Sequence, residues 1–167
     1  MKRFYERAAD RISKIDPDQL RRVFQLLSSE NDLLAMVLDS MARGIIVTGT
    51  TGNILLINRA AERLIRLNTP DYLEQLVWEV VADSEISTFL HDTLTSEDTA
   101  HDKEFTVDSS SIKILSFGVL PLVSEGHVAG NLINIEDVTQ KRANSSRLRR
   151  AESLAALATL TAGVAHE

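Results

Sequence analysis

The 167-residue chain is 44% hydrophobic and 25% charged, the make-up of one globular domain with appendages or of two small ones. Its 24 acidic and 18 basic residues leave a formal charge of -6, which argues against a nucleic-acid surface, because such a surface needs a basic face to displace counterions. Cysteine is absent, which removes disulfides, thiolate nucleophiles and Cys-ligated metal centres.

No apolar run approaches the ~20 residues of a membrane helix. The opening MKRFYERAADRISK lacks the apolar core of a signal peptide. A cytoplasmic protein without a membrane span is therefore expected. Tyr5, Ala8, Ile12 and Ile15 recur at spacings of three and four and predict a first helix. Asp16 then reads as an N-cap and Pro17 as the first residue of a second helix, running to about Arg43 and stopped by Gly44. Along it Leu20, Phe24, Leu27, Asn31, Leu34, Leu38 and Met41 alternate spacings of four and three, which is a heptad seam. Parallel pairing of two such helices would set Asn31 against its twin and favour a homodimer in one register. The plainer alternative is an amphipathic helix lying on its own domain, and Val23, Leu26, Leu33 and Val37 do widen the stripe.

From Gly44 the period becomes strand-like. GIIVTGTTGNILLIN predicts two strands around a Gly turn, and Asn58 caps a short helix, RAAERLIRL. DYLEQLVWEVV and SEISTFLHDTLTS read as helical. After EDTAHD come three strands, KEFTVD, SIKILSFGVLPLVS and HVAGNLINIEDV, separated by SSS and SEG turns. The order predicts an α+β fold with a five-stranded antiparallel sheet covered by helices on one face. Trp78, Phe89, Phe105 and Phe117 are expected in its core. From Thr139 onward there is no Pro, and Gly163 alone weakens the helix, by about 1 kcal/mol relative to Ala. One long helix is predicted, basic through KRANSSRLRR and then Ala/Leu-rich, with an apolar face that suits a helical bundle. The basic cluster reads as a solvated face, with a membrane surface as the alternative. The helix is still uncapped at His166 and Glu167, so a fragment of a longer protein is expected. The four histidines, His91, His101, His127 and His166, have no ligand-like spacing, which argues against zinc.

Three stretches carry a resemblance. IIVTGTTGNILLINRAAERLI resembles the opening of a PAS domain. GNLINIEDVT resembles its exit, where an Asp-x-Thr step, here Asp137 and Thr139, marks the signal junction with the output helix. SLAALATLTAGVAHE is similar to the start of the dimerisation and phosphoacceptor helix of sensor histidine kinases. The resemblance covers residues 33–167. It implies a helical or coiled-coil region at 1–32, a PAS sensor domain at 33–139, and a signalling helix leading into the phosphoacceptor helix at 140–167. By the same resemblance His166 is the phosphoacceptor and Glu167 its neighbouring acid.

The residues suit that chemistry. A neutral imidazole nitrogen is a competent nucleophile near neutral pH, and an adjacent carboxylate can orient the ring or take its proton. His166 lies two residues past Val164, about 200° around the helix, so it faces outward if Val164 faces a bundle core. GTTGN lacks the longer Gly-rich loop, the following Lys and the helix of a phosphate cradle. ATP and Mg2+ are accordingly expected to bind elsewhere in the parent protein, with no cofactor in this stretch. The implied partners are a second copy of the chain, a response regulator, and a small molecule or protein as stimulus. Two competing readings remain: a non-enzymatic PAS dimerisation or docking module, and a small-molecule or haem sensor with another output. For haem, His91 sits on the kind of helix that supplies the ligand in some PAS oxygen sensors. A photosensory flavin would require a Cys.

Overall fold

In the computed structural model, which describes residues 17–96, 100–108 and 111–164, the first regular element is helix α1, Pro17–Ser40. The predicted helix around Tyr5–Ile15 lies outside the described residues. Pro17 opens α1 as expected, since its missing N–H would have had no partner there. The helix stops at Ser40, short of Arg43, and Gly44 does not cap it. Gly44 instead begins strand β1, Gly44–Thr48, where a side chain would come within 2.9 Å of the Ala61 Cα. Glycine is required there by close backbone approach rather than by a helix stop. The chain divides into two units, Met1–Ser40 and Met41–Glu167.

The second unit is built on the predicted five-stranded sheet. Strands β2 (Ile54–Ile57), β3 (Ala100–Asp108), β4 (Ile112–Ser124) and β5 (His127–Asp137) join β1 in the order β2-β1-β5-β4-β3, antiparallel throughout. The β4–β5 turn places Glu125 and Gly126 at φ 52° and 80°, the left-handed pair that matches the twist of a hairpin. Side chains alternate across the sheet, and the inner face carries Ile46, Ile54, Leu115, Phe117, Val119, Ile133 and Ile135, all buried. Short helices α2 (Arg59–Leu64), α3 (Val77–Val80) and α4 (Ser84–Thr95) lay Ala61, Val77, Val80, Ile86 and Leu90 on that face. Phe105 stands edge-on to Phe117 at 5.4 Å and tilted against Phe89 at 5.3 Å, so the predicted aromatic core forms, with Trp78 and Phe89 only half-buried at its margin.

Asn58 caps α2 as its sequence position predicts. Its Oδ1 accepts from Ala61 N–H at 3.0 Å and from Ile45 N–H at 2.8 Å, while Nδ2 donates to the Arg43 carbonyl at 3.0 Å. One buried amide thus ties the helix to the start of β1. Two helical expectations fall short. RAAERLIRL ends at Leu64, because the Asn68 N–H turns to the Val80 carbonyl and Ala82 N–H to the Arg66 carbonyl. Of DYLEQLVWEVV only Val77–Val80 is helical: Glu74 takes a φ of 62°, and Glu74 and Gln75 exchange backbone hydrogen bonds with Ile54. Backbone partners on a neighbouring element override helical periodicity there. Helix α5, Thr139–Val164, follows β5 directly, as predicted. Among the described residues no helix is long and apolar enough to cross a membrane.

Candidate functional site

The β5–α5 junction concentrates polar contacts in three residues. The β4–β5 ladder ends at Leu115 opposite Asp137, and Val138 extends it by donating its N–H to the Ile114 carbonyl at 2.9 Å. The next acceptor is no longer a backbone carbonyl. Ile114 N–H instead donates to the Thr139 hydroxyl oxygen at 2.9 Å, while that hydroxyl donates to Asp137. Asp137 also accepts the Thr139 N–H at 3.0 Å. Val138, buried, then accepts the first helical bond, from Arg142 N–H at 2.8 Å. The Thr139 hydroxyl thus joins the last ladder N–H, that of Ile114, to the Asp137 carboxylate at the point where the helix begins.

The hydrogen bond from the Thr139 hydroxyl holds the Asp137 carboxyl below its ordinary 3.8, overcoming a smaller desolvation that pushes upward. The Thr139 N–H and the charge of Lys113, whose Nζ lies 4.0 Å away, act in the same downward direction. On the outer face of the sheet Glu136, Ser116 and Glu104 stand opposite one another across β5, β4 and β3. An arginine closes each end of this row. Arg43 donates to Glu136 at 2.7 Å, and Arg142 from α5 grips both carboxylate oxygens of Glu104, with Nε at 2.9 Å from each.

The sequence-predicted residues are distributed as follows. Asp137 and Thr139 are brought together at the junction. His166 and Glu167 lie outside the described residues. Leu20, Phe24 and Leu27 fall within α1, but their side chains are outside the described set; Asn31 and Leu34 are exposed on α1, Leu38 is half-buried, and Met41 falls one residue past the helix. His91 is exposed on α4, with its ring edge-on to Trp78 at 5.2 Å and Nδ1 3.1 Å from Asp92. A cavity of about 270 Å3 opens beside the core, where Arg63, Arg66, Asp83 and Asp108 surround Ile65 and Ile86. Among the described residues no cluster of His, Asp and Glu could hold a metal ion. Sequence reading missed Glu104, Arg142, Arg43 and Glu136. Glu104 and Arg142 are 38 positions apart, and nothing local marks them as partners.

A five-stranded antiparallel sheet in this order, with helices on one face, is the architecture of a PAS domain. The chain belongs to the PAS-fold family, whose model matches residues 38–143. Among solved structures, that of histidine kinase ThkA in complex with response regulator protein TrrA superposes with a TM-score of 0.55 at 23% identity, over 78% of this chain and 39% of that one. The PAS domain of Bordetella pertussis BvgS superposes at 0.52 and 16% identity, over 75% of this chain and 98% of that one. The E. coli DhaR(N)–DhaL complex gives 0.53 at 17%, over 71% of this chain and 39% of that one. The chain thus spans about two fifths of the ThkA and DhaR chains. At these identities the likenesses speak to the fold. A search of curated proteins finds no match.

Proposed function

We propose that this chain is the PAS sensor and signalling-helix portion of a dimeric, cytoplasmic histidine kinase. The observation that carries the reading is the direct continuation of the PAS sheet into α5 through the Asp137–Thr139 junction. That helix includes residues 153–164 of the stretch SLAALATLTAGVAHE, which is similar to a phosphoacceptor helix. In this reading a small molecule or protein alters the packing of the PAS domain, and the change passes through the junction into α5. His166 then accepts a phosphoryl group from ATP bound with Mg2+ in a kinase domain of the parent protein, with Glu167 orienting the ring or taking its proton. A response regulator receives the group, and the heptad of α1 pairs two copies of the chain. The fold likeness to ThkA supports this context. A second reading, a docking module without enzymatic output, has support from the likeness to a DhaR–DhaL complex.

The test uses the full-length parent and labelled ATP. Wild type should acquire an acid-labile label, and His166→Gln should acquire none. Label retained by the variant at the wild-type level would overturn the assignment, and an unlabelled wild type would favour the docking reading.

A further inference from the structure

Among the described side chains, helix α5 meets its domain at its base. Ala143 is half-buried, and every side chain from Asn144 to Leu154 is exposed. Within that base there are two fastenings of different kinds. The first is close to the point where the chain enters the helix: Val138 and Thr139 use both backbone groups of Ile114. The second lies one turn further along and to the side, where Arg142 reaches the Glu104 carboxylate. Glu104 is itself held in place, because β3 pairs with β4 there and sets it opposite Ser116.

A rod pinned at one point can swing about it. A second, off-axis contact fixes its direction. The bidentate fork of an arginine on a carboxylate defines both distance and angle, which a lysine or a single hydrogen bond would not. The charge pattern agrees. From Thr139 to Leu154 the helix carries Lys141, Arg142, Arg147, Arg149 and Arg150 against one acid, Glu152. Arg149 and Arg150 continue the face that Arg142 begins, beside Ser145, Ser146 and Ser153, with no carboxylate on that face among the described residues. Among the described residues Glu104 is the carboxylate that this basic face meets, through Arg142.

We propose that Glu104 and Arg142 form a latch that sets the direction in which α5 leaves the PAS domain. Closed, it holds the helix at one angle. Open, it leaves the helix attached through Thr139 and able to pivot there. Both partners reach solvent, with side chains 30% and 53% exposed, so the latch opens without unfolding any core element and is weakened by salt. It acts on whatever output α5 feeds, so its failure and the failure of the kinase reading are separate results.

The absence of cysteine makes the test direct. Thr88→Cys on α4 and Ser153→Cys on α5 receive spin labels, and the labelled chain is diluted with unlabelled chain so that distances within one molecule are read. The otherwise wild-type protein should give one narrow distance distribution. E104Q and R142Q should each widen it at least twofold while leaving the Tm within a few degrees, and the charge-reversed pair E104R with R142E should restore the narrow form. In 1 M NaCl the wild-type distribution should widen and that of E104Q should not change further; this arm needs no variant that might fail to fold. A distribution for E104Q as narrow as wild type, a reversed pair as broad as the single variants, or a wild-type width indifferent to salt would each overturn the latch.

Discussion

The inner face of the sheet and the base of α5 are held together by opposite means. The inner face is apolar and closed: Phe117, Ile133 and Ile135 are fully buried and gain their stabilisation from area removed from water, with no preferred direction. The base of α5 is half open and, beside the buried Val138, is held by directional polar contacts. What the difference teaches is a division of labour. The first region decides whether the domain exists, and the second decides how a helix leaves it. Substitutions should separate the two.

The largest effect is expected from Phe117→Ala. It removes the ring that packs against Phe105 in a site with no solvent access, and large-to-small changes of this kind cost about 3–5 kcal/mol. Chemical denaturation of the 41–167 unit should show the loss in full, and a cost under about 1 kcal/mol would mean that the core is not organised around this ring. An intermediate effect is expected from Thr139→Val, which keeps shape and removes the hydroxyl. Ile114 N–H loses its acceptor and Asp137 a donor, for a cost of about 1–2 kcal/mol. Hydrogen exchange should quicken at Ile114 and in the first turn of α5 far more than in β1 or β5. Uniform quickening would erase the distinction between the two regions.

Asp137→Asn should have the smallest effect, and one visible through pH. The carboxyl of Asp137 is held below its ordinary 3.8 in the folded state, so its stabilisation is fully present above that value and is lost as pH falls through the folded value. Melting temperatures of wild type and variant should therefore differ most near neutrality and converge below about pH 3.8. A gap that stays constant into acid would mean that the carboxylate charge contributes nothing at the junction.

Much of the inner face was legible in the sequence. Alternation in GIIVT and in KILSFGV marks strands whose inward residues meet, and Asn58 announces a helix start because its side-chain oxygen can accept a free N–H of the first turn. Asp137 and Thr139 were legible as a junction through resemblance to the PAS exit, and their spacing of two lets one side chain reach the other. The misses share a cause. Gly44 reads locally as a helix stop, but its role is set by Ala61, seventeen residues on. DYLEQ has helical periodicity, yet its backbone finds partners on Ile54. The Glu104–Arg142 contact depends on two elements meeting at the sheet edge, which no local pattern encodes. His166 and Glu167, conspicuous in the sequence, lie outside the described residues, so their roles rest on the kinase proposal.

The length of α5 gives its first turn a mechanical meaning. At 1.5 Å per residue a helix of 26 residues is about 39 Å long. Rotating such a lever by ~5° about Thr139 carries its far end roughly 3 Å, the rise of two helical residues. A rearrangement at the fulcrum too slight to break the hydrogen bonds around Ile114 therefore arrives at Val164 as a displacement comparable to the width of a methyl group.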